Sequence, residues 1–234
     1  MTFAGRDFLG GGVGTQTAAL QIGGFISPGN LSDVMQEYNG ASWSNIPQTF
    51  PTAADTGSFN SCGTQTAALS SGGSGNNTNN LSWDGSSWTE IANVNLARWG
   101  PGSSGTQTAA LVFGGHTGPA ALETEMESWD GSSWTEIADV NTATYKAGAS
   151  GSSTAALKFG GTDPRIANTE TWDGSSWTEV GDLNTTRDNQ AGIGTTSAAF
   201  SCGGSPGPTA VTAVVESWNG SAWTEVALSL IHIS

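Results

Sequence analysis

The chain has 234 residues, with 20 acidic against 6 basic side chains and a net charge of −14. So acidic a surface repels phosphate backbones and excludes a nucleic-acid partner from the expected functions, and no apolar run reaches the ~18–20 residues of a membrane-spanning helix, so no membrane insertion is expected. With 34 Gly, 10 Trp and only 11% charged residues, the composition suits tight turns and closely packed sheets rather than disorder.

Met1-Thr2-Phe3-Ala4-Gly5-Arg6 lacks the charged and apolar regions of a secretory signal. Activity outside a cell would then imply release by lysis, incorporation into a particle or loss of a leader. From there two motifs alternate. Gly14-Thr15-Gln16-Thr17-Ala18-Ala19-Leu20-Gln21-Ile22-Gly23-Gly24 returns at 63–73, 105–115, 151–161 and 194–204. Trp83-Asp84-Gly85-Ser86-Ser87-Trp88 returns at 129–134 and 172–177, as Trp218-Asn219-Gly220-Ser221-Ala222-Trp223, and in worn form as Tyr38-Asn39-Gly40-Ala41-Ser42-Trp43. The second aromatic of the pair falls at 43, 88, 134, 177 and 223, a period of 43 to 46 residues.

A repeat near this length, rich in strand and turn signals, predicts a β-propeller. The expected fold is all-β, with five four-stranded antiparallel blades around a central axis. One domain spans 1–227, with blades at about 1–48, 49–93, 94–139, 140–182 and 183–227. In the third unit the strands are expected at Arg98 to Ser103, Thr108 to Phe113, Glu123 to Trp129 and Trp134 to Ala138. Asp-Gly between the last two is a hairpin signal. The loop is either Asp130-Gly131 alone or Asp130 to Ser133, and the longer one would set Trp129 opposite Trp134 as a cross-strand pair. The first two strands are small-sided, as in Ala147-Gly148-Ala149 and Ala155-Ala156, which fits the crowded centre of a propeller with few blades. Leu228 to Ser234 breaks the repeat and reads as foreign sequence, with a natural chain that could run on. With blades ending where the chain does, no blade is shared between the termini and closure is expected to rest on blade packing alone.

These residues resemble the kelch repeat: a small-apolar strand ending in Gly-Gly, an acidic residue before an aromatic, a Trp opening the last strand, and connections such as Asn184-Thr185-Thr186-Arg187. The likeness covers residues 3 to about 227. It departs in its short aromatic-to-Trp interval and in having five blades, where the family usually has six or seven. Trp-Asp-Gly-Ser-Ser-Trp-Thr-Glu is also similar to repeats in structural proteins of marine bacteriophages, which would place the chain on a virion or another extracellular particle. Ser128 to Trp134 is close to the Asp-box of sialidase-like propellers, a turn whose Asp caps its own backbone.

Candidate chemistry is sparse. Arg6, Arg98 and Arg187 fall at matching points of units one, three and five. They either grip a substrate carboxylate bidentately, as in sialidase-like enzymes, or act as the kelch arginine that ties a blade connection to carbonyls. His116 alone builds neither a triad nor a metal site, and no cluster has metal-ligand spacing, so no cofactor or metal is expected. Glu90, Glu136, Glu179 and Glu225 read as a solvated outer face, and Cys62 and Cys202 as free thiols. The loops carry the functional contrast. Gly-Thr-Gln-Thr and Trp-Asp-Gly-Ser-Ser turns share one face of the disc and hardly vary, while the loops after Gly-Gly share the other and differ in length and chemistry. The variable face is the expected recognition surface, with Asn76, Asn77, His116, Asp163 and Arg165 as contacts. The expected function is a non-catalytic, monomeric module that binds a glycan or a protein or serves a structural role. The alternatives are a glycan-processing enzyme and a fragment of a longer repeat protein.

Overall fold

A computed structural model describes residues 6–8, 11–26, 30–51, 61–72, 76–118, 121–162, 164–207 and 210–226; Asp163 and the tail 228–234 lie outside them, and of Arg6 only the backbone is described. Five antiparallel sheets stand around an axis. The first blade holds β1 (Arg6–Phe8) and β2 (Gly11–Gly14), both paired with β3 (Ala19–Ile26), followed by β4 (Asn30–Tyr38) and β5 (Trp43–Thr49). The second is β6 (Ser61–Thr64), β7 (Ala67–Ser71), β8 (Asn80–Trp83) and β9 (Trp88–Glu90). The third is β10 (Gly102–Thr106), β11 (Ala109–Phe113), β14 (Met126–Trp129) and β15 (Trp134–Ile137), with a small hairpin, β12 (His116–Gly118) and β13 (Ala121–Leu122), between its middle strands. β16 (Gly148–Gly151), β17 (Ala156–Phe159), β18 (Thr169–Trp172) and β19 (Trp177–Val180) make the fourth, and β20 (Ala191–Gly194), β21 (Ala199–Cys202), β22 (Val215–Trp218) and β23 (Trp223–Val226) the fifth. This is a five-bladed β-propeller. Its innermost strands begin later than the sequence suggests: in the third blade Arg98 to Pro101 belongs to the connection, because the Arg98 side chain turns into the blade instead of alternating with strand neighbours.

The hairpin takes the longer loop. Trp129 pairs with Trp134, their ring centroids 5.3 Å apart. Asp130 Oδ1 accepts the backbone N–H groups of Ser132 and Ser133, each at 2.8 Å. Gly131 stands at φ 96°, in the left-handed region where a side chain would be strained. Asp84 and Asp130 are fully exposed, yet the Ser hydroxyl and N–H donors hold their carboxyls down at about 2; Asp173 is lowered for the same reason. Asn219 makes the same two bonds without a charge.

Blades meet through one repeated contact. The small Ala and the Trp pair of one blade lie on the apolar face of the blade before it. Ala68 and Trp83 pack on Val13, Leu20, Ile22 and Met35. Ala110, Trp129 and Trp134 pack on Cys62 and Leu69; Ala156, Trp172 and Trp177 on Leu111 and Phe113; and Ala199, Trp218 and Trp223 on Leu157 and Phe159. Hydrogen bonds stitch the same contact. Gln65 Nε2 donates to the carbonyls of Ala19 and Tyr38 in the previous blade, Gln107 does so to Trp83, and the indoles of Trp83 and Trp129 donate to the carbonyls of Gln65 and Gln107. Around the axis β2 neighbours β6, β6 neighbours β10, β10 neighbours β16 and β16 neighbours β20. The backbones come so close that a Cβ on Gly192 would collide with the Ala149 carbonyl.

The fifth seam, from the last blade to the first, has no such cluster among the described residues. Phe200 occupies the place of Leu20, Leu69, Leu111 and Leu157, which are at most 2% exposed, yet it is 47% exposed. Cys62 is buried and Cys202 half-buried, both free, and burial pushes the Cys62 thiol up to about 12.

Leu157→Ala opens a cavity in a sealed contact and is expected to cost about 2–5 kcal/mol. Phe200→Ala at the corresponding site of the open seam should cost under about 1 kcal/mol, and denaturant unfolding of the two variants checks the contrast. The turn carboxylates, with folded pKa values below the unfolded ones, contribute stability that is fully present above about pH 4 and is lost as pH falls toward about 2. Asn at 84, 130 and 173 together should flatten that acid limb, which melting curves between about pH 5 and pH 2 will register.

Candidate functional site

The loops after Gly-Gly and the blade connections share one end of the disc, and there the backbone builds part of a ring, across blades three to five. Gly100, Lys146 and Asn189 open the innermost strands of blades three, four and five, all with positive φ (61°, 58° and 58°). That conformation turns their peptide groups along the ring: Lys146 N donates to Gly100 O at 2.7 Å and Asn189 N to Lys146 O at 3.0 Å. Outside the ring, each connection bridges the loop of its own blade, Trp99 to His116, Tyr145 to Thr162 and Asp188 to Ser205.

These two sets of bonds gather side chains distant in sequence. The rings of Trp99, His116 and Tyr145 lie 4.8 to 5.4 Å apart, edge against face or tilted. Lys146 Nζ stands 4.7 Å from the centroid of Trp99 and 5.1 Å from that of Tyr145, a cation–π geometry. All four are half-buried. Burial, reinforced by the Lys146 charge, holds His116 below its usual imidazole value, so the ring is neutral at physiological pH. Burial likewise lowers Lys146, against the pull of Asp188. Beside the cluster Asn76 Nδ2 donates to Thr117 O at 2.9 Å, and Thr117 Oγ1 to Glu123 at 2.6 Å. Arg165 Nε reaches Asp188 Oδ1 at 3.2 Å and Ser205 O at 3.1 Å, fastening the fourth blade's loop to the fifth. Asn77 Oδ1 accepts from Asn79 N within its own loop.

Through Lys146 the cluster meets an axial cavity of about 960 Å³. Lys146, Asn189 and Gln190 sit at its margin, its walls are the Gly, Ala and Ser of the innermost strands, and it reaches Trp43 on the first blade. No group of three or more His, Cys, Asp or Glu among the described residues is placed to hold a metal ion.

Arg98 and Arg187 are elsewhere. Both are 0% exposed. Arg98 donates to Glu127 at 2.6 Å and to the carbonyls of Glu125 and Gly114; Arg187 donates to Glu216 at 2.7 Å and to those of Val214 and Gly203. The carboxylates in turn accept the N–H groups of the connections, Asn95 and Leu96 on Glu127, Asn184 on Glu216. Guanidiniums so engaged face no ligand. In the fourth blade Thr144 replaces the arginine, and Lys158 from β17 meets Glu170 at 2.9 Å instead. Burial lowers the Lys158 amine, and Glu170 counters it.

Of the sequence-derived candidates, the structure brings His116 and Asn76 to neighbouring loops and Arg165 to the adjoining blade, and keeps Arg98 and Arg187 inside the sheets. Sequence reasoning missed Trp99, Tyr145, Lys146 and Asp188. Trp99 carried a signal: it is the one Trp of ten outside the repeated hairpin. No protein-family model matches the chain, and no curated protein matches it.

Arg187→Met leaves Glu216 buried without its cation and is expected to cost about 3–5 kcal/mol of folding stability. Thermal and denaturant unfolding measure it.

Proposed function

We propose that this propeller is a non-catalytic binding module for a glycan, taken up by the variable face at the edge of the axial cavity. The observation that carries the reading is the half-buried cluster of Trp99, His116, Tyr145 and Lys146, assembled by two neighbouring blades and joined to that cavity through Lys146. Rigid, partly exposed aromatic rings stack on the apolar face of a sugar ring, while their polar edges and neighbouring amides meet its hydroxyls. The cluster lies on the end of the disc whose loops differ from blade to blade, where sequence variation changes what is recognised without disturbing the sheets. The opposite end is spent on capped hairpin turns.

The enzymatic alternative gains nothing from Arg98 and Arg187, which are 0% exposed and whose terminal guanidinium nitrogens bond carboxylates and carbonyls of their own blades. The likeness to kelch repeats and to phage structural repeats rests on the repeat residues, and on that likeness we place the module on a virion or other extracellular surface.

A broad glycan array probed with the purified chain tests the reading. Reproducible binding to a defined glycan class is expected, weakened about tenfold or more by Trp99→Ala or Tyr145→Ala while the far-ultraviolet spectrum and melting transition are retained. A blank array, or binding indifferent to both variants, would sink it.

A further inference from the structure

The charges around the axial cavity run against those of the whole chain. Twenty acidic side chains give a net charge of −14, yet no Asp or Glu stands among the described residues that line the cavity, and Lys146 is the one charged side chain there. Lys146 also differs from the other described basic residues. Arg98, Lys158 and Arg187 are each locked to a buried glutamate at 2.6 to 2.9 Å, and Arg165 holds Asp188 at 3.2 Å. Lys146 has no ion-pair partner within reach among the described residues. Its amine rests against Trp99 and Tyr145, while Asp188, already engaged by Arg165, attracts it from beyond contact. A half-buried ammonium has lost part of its hydration, and two aromatic faces replace only some of it. Next to it on the same wall, Asn189 Oδ1 and Gln190 Oε1 are buried and accept no hydrogen bond from the described residues, a costly state for an acceptor unless a donor arrives.

We propose, resting on the reading of this cavity as a glycan site, that its ligand is an acidic glycan whose anionic group is held by Lys146. Hydroxyls beside that group donate to Asn189 and Gln190. An ammonium is a compact point charge that serves a carboxylate or a sulfate alike, so the shared chemistry is an anionic substituent on a sugar ring. Trp99 and Tyr145 offer their faces to the sugar and also fix the amine, so stacking and charge act on one residue of the glycan together. A wall without carboxylates spares the anion a like-charge penalty at contact. The remaining acidic side chains do not cancel the attraction, because exposed charges farther away than ~8–10 Å are largely screened at physiological salt.

An array that carries each glycan backbone in neutral, carboxylated and sulfated forms, probed with the whole chain, tests the proposal. The acidic forms are expected to bind about tenfold or more tightly than their neutral counterparts, as a charge-assisted hydrogen bond provides. Either anion supports the proposal, and the stronger of the two identifies the substituent. Lys146→Met keeps a long side chain against Trp99 and Tyr145 and should abolish the acidic preference with the melting transition unchanged, whereas Lys146→Arg should retain most of it. Binding confined to neutral glycans would overturn the proposal and leave the glycan reading standing, as would an acidic preference that survives Lys146→Met. A blank array would overturn both.

Discussion

Everything in this molecule depends on a flat contact between neighbouring blades, Ala and paired Trp against Leu and its flankers. A single repeat unit cannot bury its own hydrophobic face, and stacking neighbours supplies the core. Each Trp removes on the order of 150–250 Å² from water when covered, worth several kcal/mol at roughly 25 cal/mol per Å², and a blade covers its Trp pair only by lying on the blade before it. The Ala on the second strand is as important as the Trp: at 0% exposure in Ala68, Ala110 and Ala156, it leaves the gap into which the previous blade's Leu fits. The hydrogen bonds through Gln65 and Gln107 fix how far one blade slides along the next. Stability is accordingly a sum over neighbours.

The buried charges follow from the same construction. A connection running from the outer edge of one blade to the axis of the next must cross the sheet's end with its N–H groups unpaired, and unpaired buried donors are expensive. Glu127, Glu170 and Glu216 accept them. A carboxylate at 0% exposure then needs a cation. Arg98, Lys158 and Arg187 supply it from two different places in the chain, so the requirement belongs to the site and not to one column of the repeat. In the second blade Leu81 stands where the glutamates do, and beside it Asn80 donates to the Ala92 carbonyl and to Asn93 Oδ1 and accepts from the Ser71 hydroxyl.

The period and the hairpin signal were enough to read the blades, because strand pairing between adjacent segments is local and the repeat states it five times. The length of the hairpin loop was not legible: Asp130-Gly131 alone and Asp130 to Ser133 are both sound turns, and the choice is made by the Trp129–Trp134 contact across the sheet. The loop end of the disc was legible only as variable loops. Its chemistry comes from Trp99, Tyr145 and Lys146, which lie on connections. They meet His116 only through bridges between segments 17 residues apart or more and through the ring of bonds at positive-φ residues. The open seam was invisible for a related reason. Phe200 reads as a faithful copy of Leu157, and only the surroundings make one a core residue and the other a surface one.

Trp43 joins these threads. It belongs to the first blade's hairpin, pairs with Tyr38 at 5.3 Å, forms one side of the open seam and also lines the axial cavity whose margin holds Lys146. The cavity therefore continues toward the seam between the first and last blades. The four sealed seams admit no such opening: their Trp pairs are covered by the chain itself, which leaves Trp43 as the hairpin aromatic that is both half-buried and on the cavity wall.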